Sequence, residues 1–300
     1  MKKLKWFALL IAIISGNMFS FAQSKSDESA NAKIVNTEWL TTHQKDPDLV
    51  ILHVASIRAE YKREHIEGSL FLWPGWLSNS TPEGNVERVS LTEMKKTINE
   101  LGITPKSKIL LTYTNGYGVP ACRMYLMFDY LGFGEQTYVL NGGIEAWKSA
   151  GNSVTSSIPI TKKSKMNIKP NQNIFADSSF ILKKMKDSNY TIIDARSPQS
   201  YEGKTGFPRA GHIPGAVNLS ALNVYDNASN KFVPDDNLLE AFTKLNITKD
   251  KKLITYCMVG NSASIVYLVA RHLGYSVFIY DGSMEEWANN FDLPIEIDTK

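Results

Sequence analysis

The chain has 300 residues, of which 43% are hydrophobic, 21% charged and 11% aromatic, a globular composition with room for one large or two medium cores. This excludes a disordered tail, a collagen-like fibre and, with only Cys122 and Cys257, a disulfide-stapled miniprotein. The formal charge of +3 is accounted for by Lys2, Lys3 and Lys5, so no basic field points to nucleic acid or an anionic membrane as a partner.

In chain order, the three lysines precede an apolar run over 6–14, and small residues at Ser20 and Ala22 fit a signal-peptidase site before Gln23. Residues 1–22 are therefore expected to be an export signal, and the mature protein a periplasmic or secreted one with no membrane contact. A retained anchor is the alternative, but Gly16-Asn17 interrupts the run short of the roughly 20 apolar residues a span requires. Residues 23–32 read as a polar leader and 33–155 as a first domain, in which Ser90-Leu-Thr-Glu93 is a capping box opening a helix to Leu101. Residues 156–173, with Lys162-Lys163-Ser164-Lys165 and Pro170, read as an exposed linker. In the second domain, 174–300, Asp177 caps a helix to about Lys186, and strands are expected over 190–194, 216–219, 253–256 and 277–280. Helices are expected over 236–245, 263–273 and 284–290. Short β-branched runs alternating with helices predict an α/β fold, a mainly parallel sheet covered on both faces, in each half.

The two halves repeat one another. Ile109-Leu-Leu-Thr-Tyr113 is echoed by Leu253-Ile-Thr-Tyr256, and Leu131-Gly132-Phe133 by Leu273-Gly274-Tyr275. Leu140-Asn141-Gly142-Gly143 matches Tyr280-Asp281-Gly282-Ser283, each followed four residues on by a tryptophan, Trp147 or Trp287. His65-Ile66-Glu67-Gly68 matches His212-Ile213-Pro214-Gly215. Matched segments in one order imply two homologous domains.

Ligands of such a sheet sit where a strand ends and a loop leads into a helix. The second half places Cys257 there, in Cys257-Met258-Val259-Gly260-Asn261-Ser262-Ala263. Free loop N–H groups and the positive end of a helix starting near Ala263 favour thiolate over thiol, and Gly260 lets the backbone curl into an anion nest. The matching residue of the first half is Thr114. A free cysteine is otherwise a small buried hydrophobe, and Cys122, among Ala121, Met124 and Leu126, reads that way. The place of a phosphate-clamping arginine, six residues after Cys257, is Ala263, and there is no Cys-x-x-Cys and no Cys/His cluster with zinc spacing. Nothing places His272 beside Cys257 as a base. Neither metal nor cofactor is expected. The remaining chemistry is sulfur transfer, in which a thiolate takes the outer sulfur of a donor and hands it on. A redox sensor using Cys257 alone is a weaker alternative.

Asp194-Ala195-Arg196, Tyr201-Glu202-Gly203, Gly211-His212-Ile213-Pro214-Gly215-Ala216, the Cys257 loop and Asp281-Gly282-Ser283…Trp287 together resemble the tandem-domain rhodaneses. The resemblance covers nearly all of the chain after the leader. It implies an inactive first domain and a catalytic second one. It also implies ping-pong transfer from thiosulfate, or from 3-mercaptopyruvate, to cyanide or a thiol, with Cys257 as persulfide carrier and the amides of Met258 to Ala263 around the transferred sulfur. Many thiosulfate-using members carry a basic residue in that loop, and often an arginine where Ser200 stands here; this chain has neither. Lys204 and Arg209 are then candidate anion-binding residues, with Arg58, Lys62 and Arg63 of the first half behind them. A persulfide- or anion-binding protein without turnover is the other reading. Asp194 and Arg196 are expected to brace the loop, His212 to bond backbone near its turn, and Trp147 and Trp287 to anchor the last helices. Trp73-Pro-Gly-Trp76 either lines a cleft between the domains or packs within the inactive half.

Overall fold

The computed structural model describes residues 32–80, 86–205 and 208–298; the expected signal segment lies outside them. The first half runs β1 (Ile34–Val35), α1 (Thr37–His43), β2 (Leu49–Val54), α2 (Arg58–Arg63), β3 (Leu70–Leu72), β4 (Ser78–Ser80) and β5 (Val86–Arg88). It continues with α3 (Leu91–Glu100), β6 (Lys108–Tyr113), α4 (Gly118–Tyr130), β7 (Thr137–Leu140) and α5 (Gly143–Ser149). The second half repeats this order as β8 (Phe175–Ala176), α6 (Ser178–Lys184), β9 (Tyr190–Asp194), α7 (Pro198–Tyr201), β10 (Val217–Asn218), β11 (Tyr225–Asp226) and β12 (Lys231–Phe232). It closes with α8 (Asp235–Thr243), β13 (Lys252–Tyr256), α9 (Asn261–His272), β14 (Ser276–Tyr280) and α10 (Ser283–Asn289).

Each half holds a five-stranded sheet that is parallel throughout, in the order β1-β7-β6-β2-β3 and its counterpart β8-β14-β13-β9-β10. The α/β expectation therefore holds twice over. The central strands are almost wholly buried, as near-continuous apolar runs such as Ile109-Leu-Leu must be when helices cover both faces. The Ser90–Glu93 capping box is formed, and Asp177 caps α6 through the Phe180 N–H.

The repeat extends to side-chain detail. Tyr61 stacks on His65 and Tyr201 on His212, with ring centroids 4.1 and 3.8 Å apart. Each histidine Nδ1 lies against the carbonyl of its stacking tyrosine, the backbone bond expected of His212. Trp147 and Trp287 each donate their indole N–H to a carbonyl just beyond the last helix of their half.

The halves share a core. Helices α4 and α9 follow the two equivalent loops, are apolar nearly all round and bury one another, so one hydrophobic cluster runs through both domains. The linker is tied down in places: the Ser164 and Met166 N–H groups bond Asn99, and Ile168 is buried, while Lys162, Lys163 and Lys165 stay exposed.

Candidate active site

Cys257 follows the last residue of β13, and its sulfur accepts the Gly260 N–H at 3.1 Å. Gly260 takes φ +87°, a left-handed conformation that turns the chain into α9 at Asn261, two residues before the expected start. Met258 to Gly260 thus form the loop, and Asn261, Ser262 and Ala263 the first helical turn, whose N–H groups have no partner within the helix. Cys257 is only 3% exposed.

Helix α10 clamps the loop from behind. The Met284 and Glu285 N–H groups donate to the Cys257 and Met258 carbonyls, both at 3.0 Å. The Ser283 hydroxyl accepts the Cys257 N–H at 3.1 Å and donates to the Tyr280 carbonyl. Ser283 does this at φ +52°, a strained conformation for a residue with a Cβ; its first-half counterpart is Gly143 at φ +56°. Asp194 and Arg196 form a buried, multiply bonded pair that also holds the Gly211 carbonyl. The Asp194 backbone pairs with Tyr256, the residue before Cys257, so the pair braces the strand end and does not bond the sulfur.

An arginine of the other domain completes the site. Arg123 of α4, 2% exposed, sends two nitrogens to the Asp281 carboxylate, at 2.5 and 2.9 Å, while its Nε donates to Ser78 of β4. A Cβ built on Gly260 would stand 2.6 Å from Asp281 Oδ1 and 3.2 Å from Arg123 Nη1, so the ion pair is packed against the turn that presents an N–H to the sulfur. Gly260→Ala is accordingly expected to cost about 2–4 kcal/mol from backbone strain plus displacement of a packed pair. Urea denaturation measures the loss, and a wild-type midpoint would refute the argument. The first-half site is covered reciprocally. Asn141, at the place of Asp281, accepts the Phe232 N–H of β12 at 2.9 Å, and Tyr113 donates its hydroxyl to the Asn230 carbonyl.

In the first half Thr114 stands in for the cysteine, its hydroxyl 2.8 Å from His53 Nε2. Burial, then the nearby His65, push His53 down to about 4 from 6.5. Between those pH values the unfolded chain binds a proton that the folded one does not, so stability falls as pH drops from 6.5 towards 4 and levels off below. The loss is expected to reach about 3 kcal/mol, measurable by urea denaturation across that window. An equally steep loss in His53→Gln would refute the assignment.

The other expected residues lie elsewhere. Arg209 donates to the carbonyls of Trp287, Ala288, Asn290 and Leu293, capping the end of α10 with its guanidinium. Lys204 pairs with Glu202 and is exposed. His272 sits at the far end of α9, bonded to Asp235 and to the Lys33 and Ile34 N–H groups. Cys122 is fully buried, its thiol pushed well up by burial, and both cysteines are free. Beside Val259 a 670 Å³ cleft opens between the domains, lined also by Glu87, Arg88, Asp281, Glu285 and Glu286. Arg88 is the one cation among the described residues of that lining, its guanidinium 3.9 Å from the Phe175 ring centroid and 5.0 Å from that of Tyr130. Among the described residues no cluster of metal-ligating side chains occurs. Sequence reasoning passed over Arg123 and Arg88; an arginine inside the apolar stretch Ala121 to Phe128 was the available signal.

The rhodanese-like domain model matches residues 36–150 and again 179–290. A thiosulfate sulfurtransferase of Azotobacter vinelandii is 30% identical over 84% of this chain and 92% of its own length. A thiosulfate/3-mercaptopyruvate sulfurtransferase of Arabidopsis thaliana is 29% identical over 91% of this chain and 80% of its own. Among solved structures, that of YnjE superposes with a TM-score of 0.77 at 21% identity, over 89% of this chain and 69% of that one. A complex of EanB with ergothioneine gives 0.74 at 23%, over 89% and 70%; both likenesses concern the fold. Two matched domains and a relative similar along most of its length place this chain in the rhodanese family, as a sulfurtransferase.

Proposed function

We propose that the protein moves a sulfane sulfur from thiosulfate to cyanide or a thiol through a persulfide on Cys257. The observation that carries this is the Gly260 N–H aimed at the cysteine sulfur beside unpartnered amides of the α9 terminus. The ionised sulfur attacks the outer sulfur of thiosulfate; that S–S bond breaks and sulfite leaves with the bonding pair. Cyanide carbon then attacks the terminal sulfur of the persulfide, thiocyanate departs and the thiolate returns. Loop amides hold the negative charge that passes between these species. Met258 to Ala263 are the proposed binding segment, with Asp194 and Arg196 as its support.

Incubation with thiosulfate is expected to add the mass of one sulfur atom to the intact protein, and cyanide to remove it as thiocyanate. No adduct on Cys257 would end the proposal. Arg88, the only cation among the described residues lining the cleft, suits the anionic end of the donor better than Lys204 or the fully engaged Arg209. Arg88→Gln is expected to raise the KM for thiosulfate about tenfold with kcat little changed, the loss of one charge-assisted contact. An unchanged KM would remove Arg88 from the site.

Glu87, Glu285 and Glu286 in the same lining oppose a compact dianion, which favours a second reading. In that reading the chain is a persulfide carrier that charges but turns over poorly with small acceptors. A 29% identical relative from Thermus thermophilus bears the name sulfur carrier protein TtuD. Comparing thiosulfate with 3-mercaptopyruvate in steady state, alongside the mass measurement, separates the readings. Export through residues 1–22 belongs to the proposal too, and a mature N-terminus at Gln23 would support it.

A further inference from the structure

Trp73-Pro-Gly-Trp76 does not line the cleft between the domains. It follows β3 and walls a separate 620 Å³ groove made wholly of first-half residues and the start of the linker, Ile158 to Thr161. The Trp73 indole lies across Gly75: a Cβ there would come within 2.5 Å of the ring, so the glycine is what lets the indole lie flat. Trp73 nevertheless remains 39% exposed, and Ile158 50%. Phe71 meets Trp76 edge-on, with centroids 5.6 Å apart, and Tyr61 completes the aromatic wall. Tyr61 and Phe71 are themselves buried, so Trp73 is the ring of this wall that stays open to solvent.

The groove is lined by two cations, Arg58 and Lys96, and two carboxylates, Glu93 and Glu100. Glu93 is engaged by the capping box with Ser90, and Glu100 faces Lys163 at 3.8 Å. The Arg58 guanidinium lies 5.5 Å from the centroid of the Phe71 ring, and neither it nor Lys96 forms an ion pair with a described carboxylate. The second half offers an internal control. The equivalent groove there, between β10 and α8, measures 340 Å³ and is lined by Asn218, Asn223 and Asn237 with no aromatic side chain. The fold therefore does not require aromatic walls at this place, and the half without the cysteine has them.

We propose that this groove binds a planar aromatic anion, a carboxylate or sulfonate, with its ring on Trp73 and its charge at Arg58 and Lys96. Size and lining suit a small ligand: apolar walls of hundreds of cubic ångströms with a few polar groups at one side. Aromatic faces reward a flat ring, and the exposed cations Arg58 and Lys96 at the rim can meet its charge. The site is independent of Cys257 and of the sulfur chemistry proposed above.

Calorimetric titration of the full chain with naphthalene-2-sulfonate, 2-naphthylmethanol and 2-naphthylmethylammonium tests this. The sulfonate is expected to bind at one site, about tenfold more tightly than the neutral analogue, with the cation weakest. Arg58→Gln should narrow the gap between sulfonate and alcohol, Arg58→Gln/Lys96→Gln should close it, and Trp73→Ala should weaken both about tenfold. Cys257→Ser and Arg88→Gln should leave the affinity unchanged, which separates this site from the catalytic cleft. Equal binding of the three probes, indifference to Arg58→Gln and Trp73→Ala, or loss of binding in Arg88→Gln would each overturn the proposal.

Discussion

Cys257→Ser is expected to lower thiosulfate-to-cyanide transfer by at least about a thousandfold, the scale seen when a covalent nucleophile is removed. Serine is nearly isosteric, so the Gly260 N–H and the clamp from α10 keep their partners and the fold should survive. Its hydroxyl, however, stays protonated near neutral pH and forms no persulfide, so the intact mass should show no added sulfur. The companion change, Cys122→Ser, buries a hydroxyl in the core of α4 and is expected to cost about 1–2 kcal/mol while leaving turnover per folded molecule intact. Undiminished transfer by the Cys257 variant would mean that the chemistry lies elsewhere.

Arg123→Met is expected to destabilise the protein by about 3–5 kcal/mol, the scale of removing one partner from a buried pair. The arginine side chain is 3% exposed and the Asp281 side chain 19%, so the carboxylate left behind recovers only part of its hydration. The Ser78 hydroxyl loses its donor at the same time, which loosens β4 and β5 from the cleft beside Val259. Asp281→Asn keeps an acceptor for one guanidinium nitrogen but leaves the more deeply buried charge unpaired, and is expected to cost a comparable amount. The double variant Arg123→Met/Asp281→Asn should recover much of the loss, because no unpaired charge remains. Urea midpoints of the four proteins complete the cycle, and additive losses would show that the two residues are not coupled. Transfer activity should fall in both single variants, since the pair packs against Gly260.

Most of the secondary structure was legible, because each element announces itself over a few neighbouring residues. The alternating apolar runs marked β9, β13 and β14, and Ser90 and Asp177 marked helix starts through bonds spanning three residues. The start of α9 was misplaced by two residues because Gly260 turns the chain sooner than the apolar pattern shows. Lys204 and Arg209 were legible as cations near His212. Proximity along the chain does not say where a long side chain points, and Arg209 points to carbonyls some 80 residues away.

The amino-acid order by itself determined two parallel α/β halves and the loss of the cysteine from one of them. It also set Cys257 at a strand end ahead of a helix, since hydrophobic period, glycine placement and the repeat are local or self-comparing signals. Only the tertiary structure decided what surrounds that cysteine. Arg123 reaches Asp281 across 158 residues, Ser283 accepts strain to hold the Cys257 amide, and Arg88 enters the cleft from the other domain. These partnerships form when α4 and α9 bury their apolar surfaces together. That burial is non-directional, and the pairs of polar groups it encloses depend on how the two halves dock.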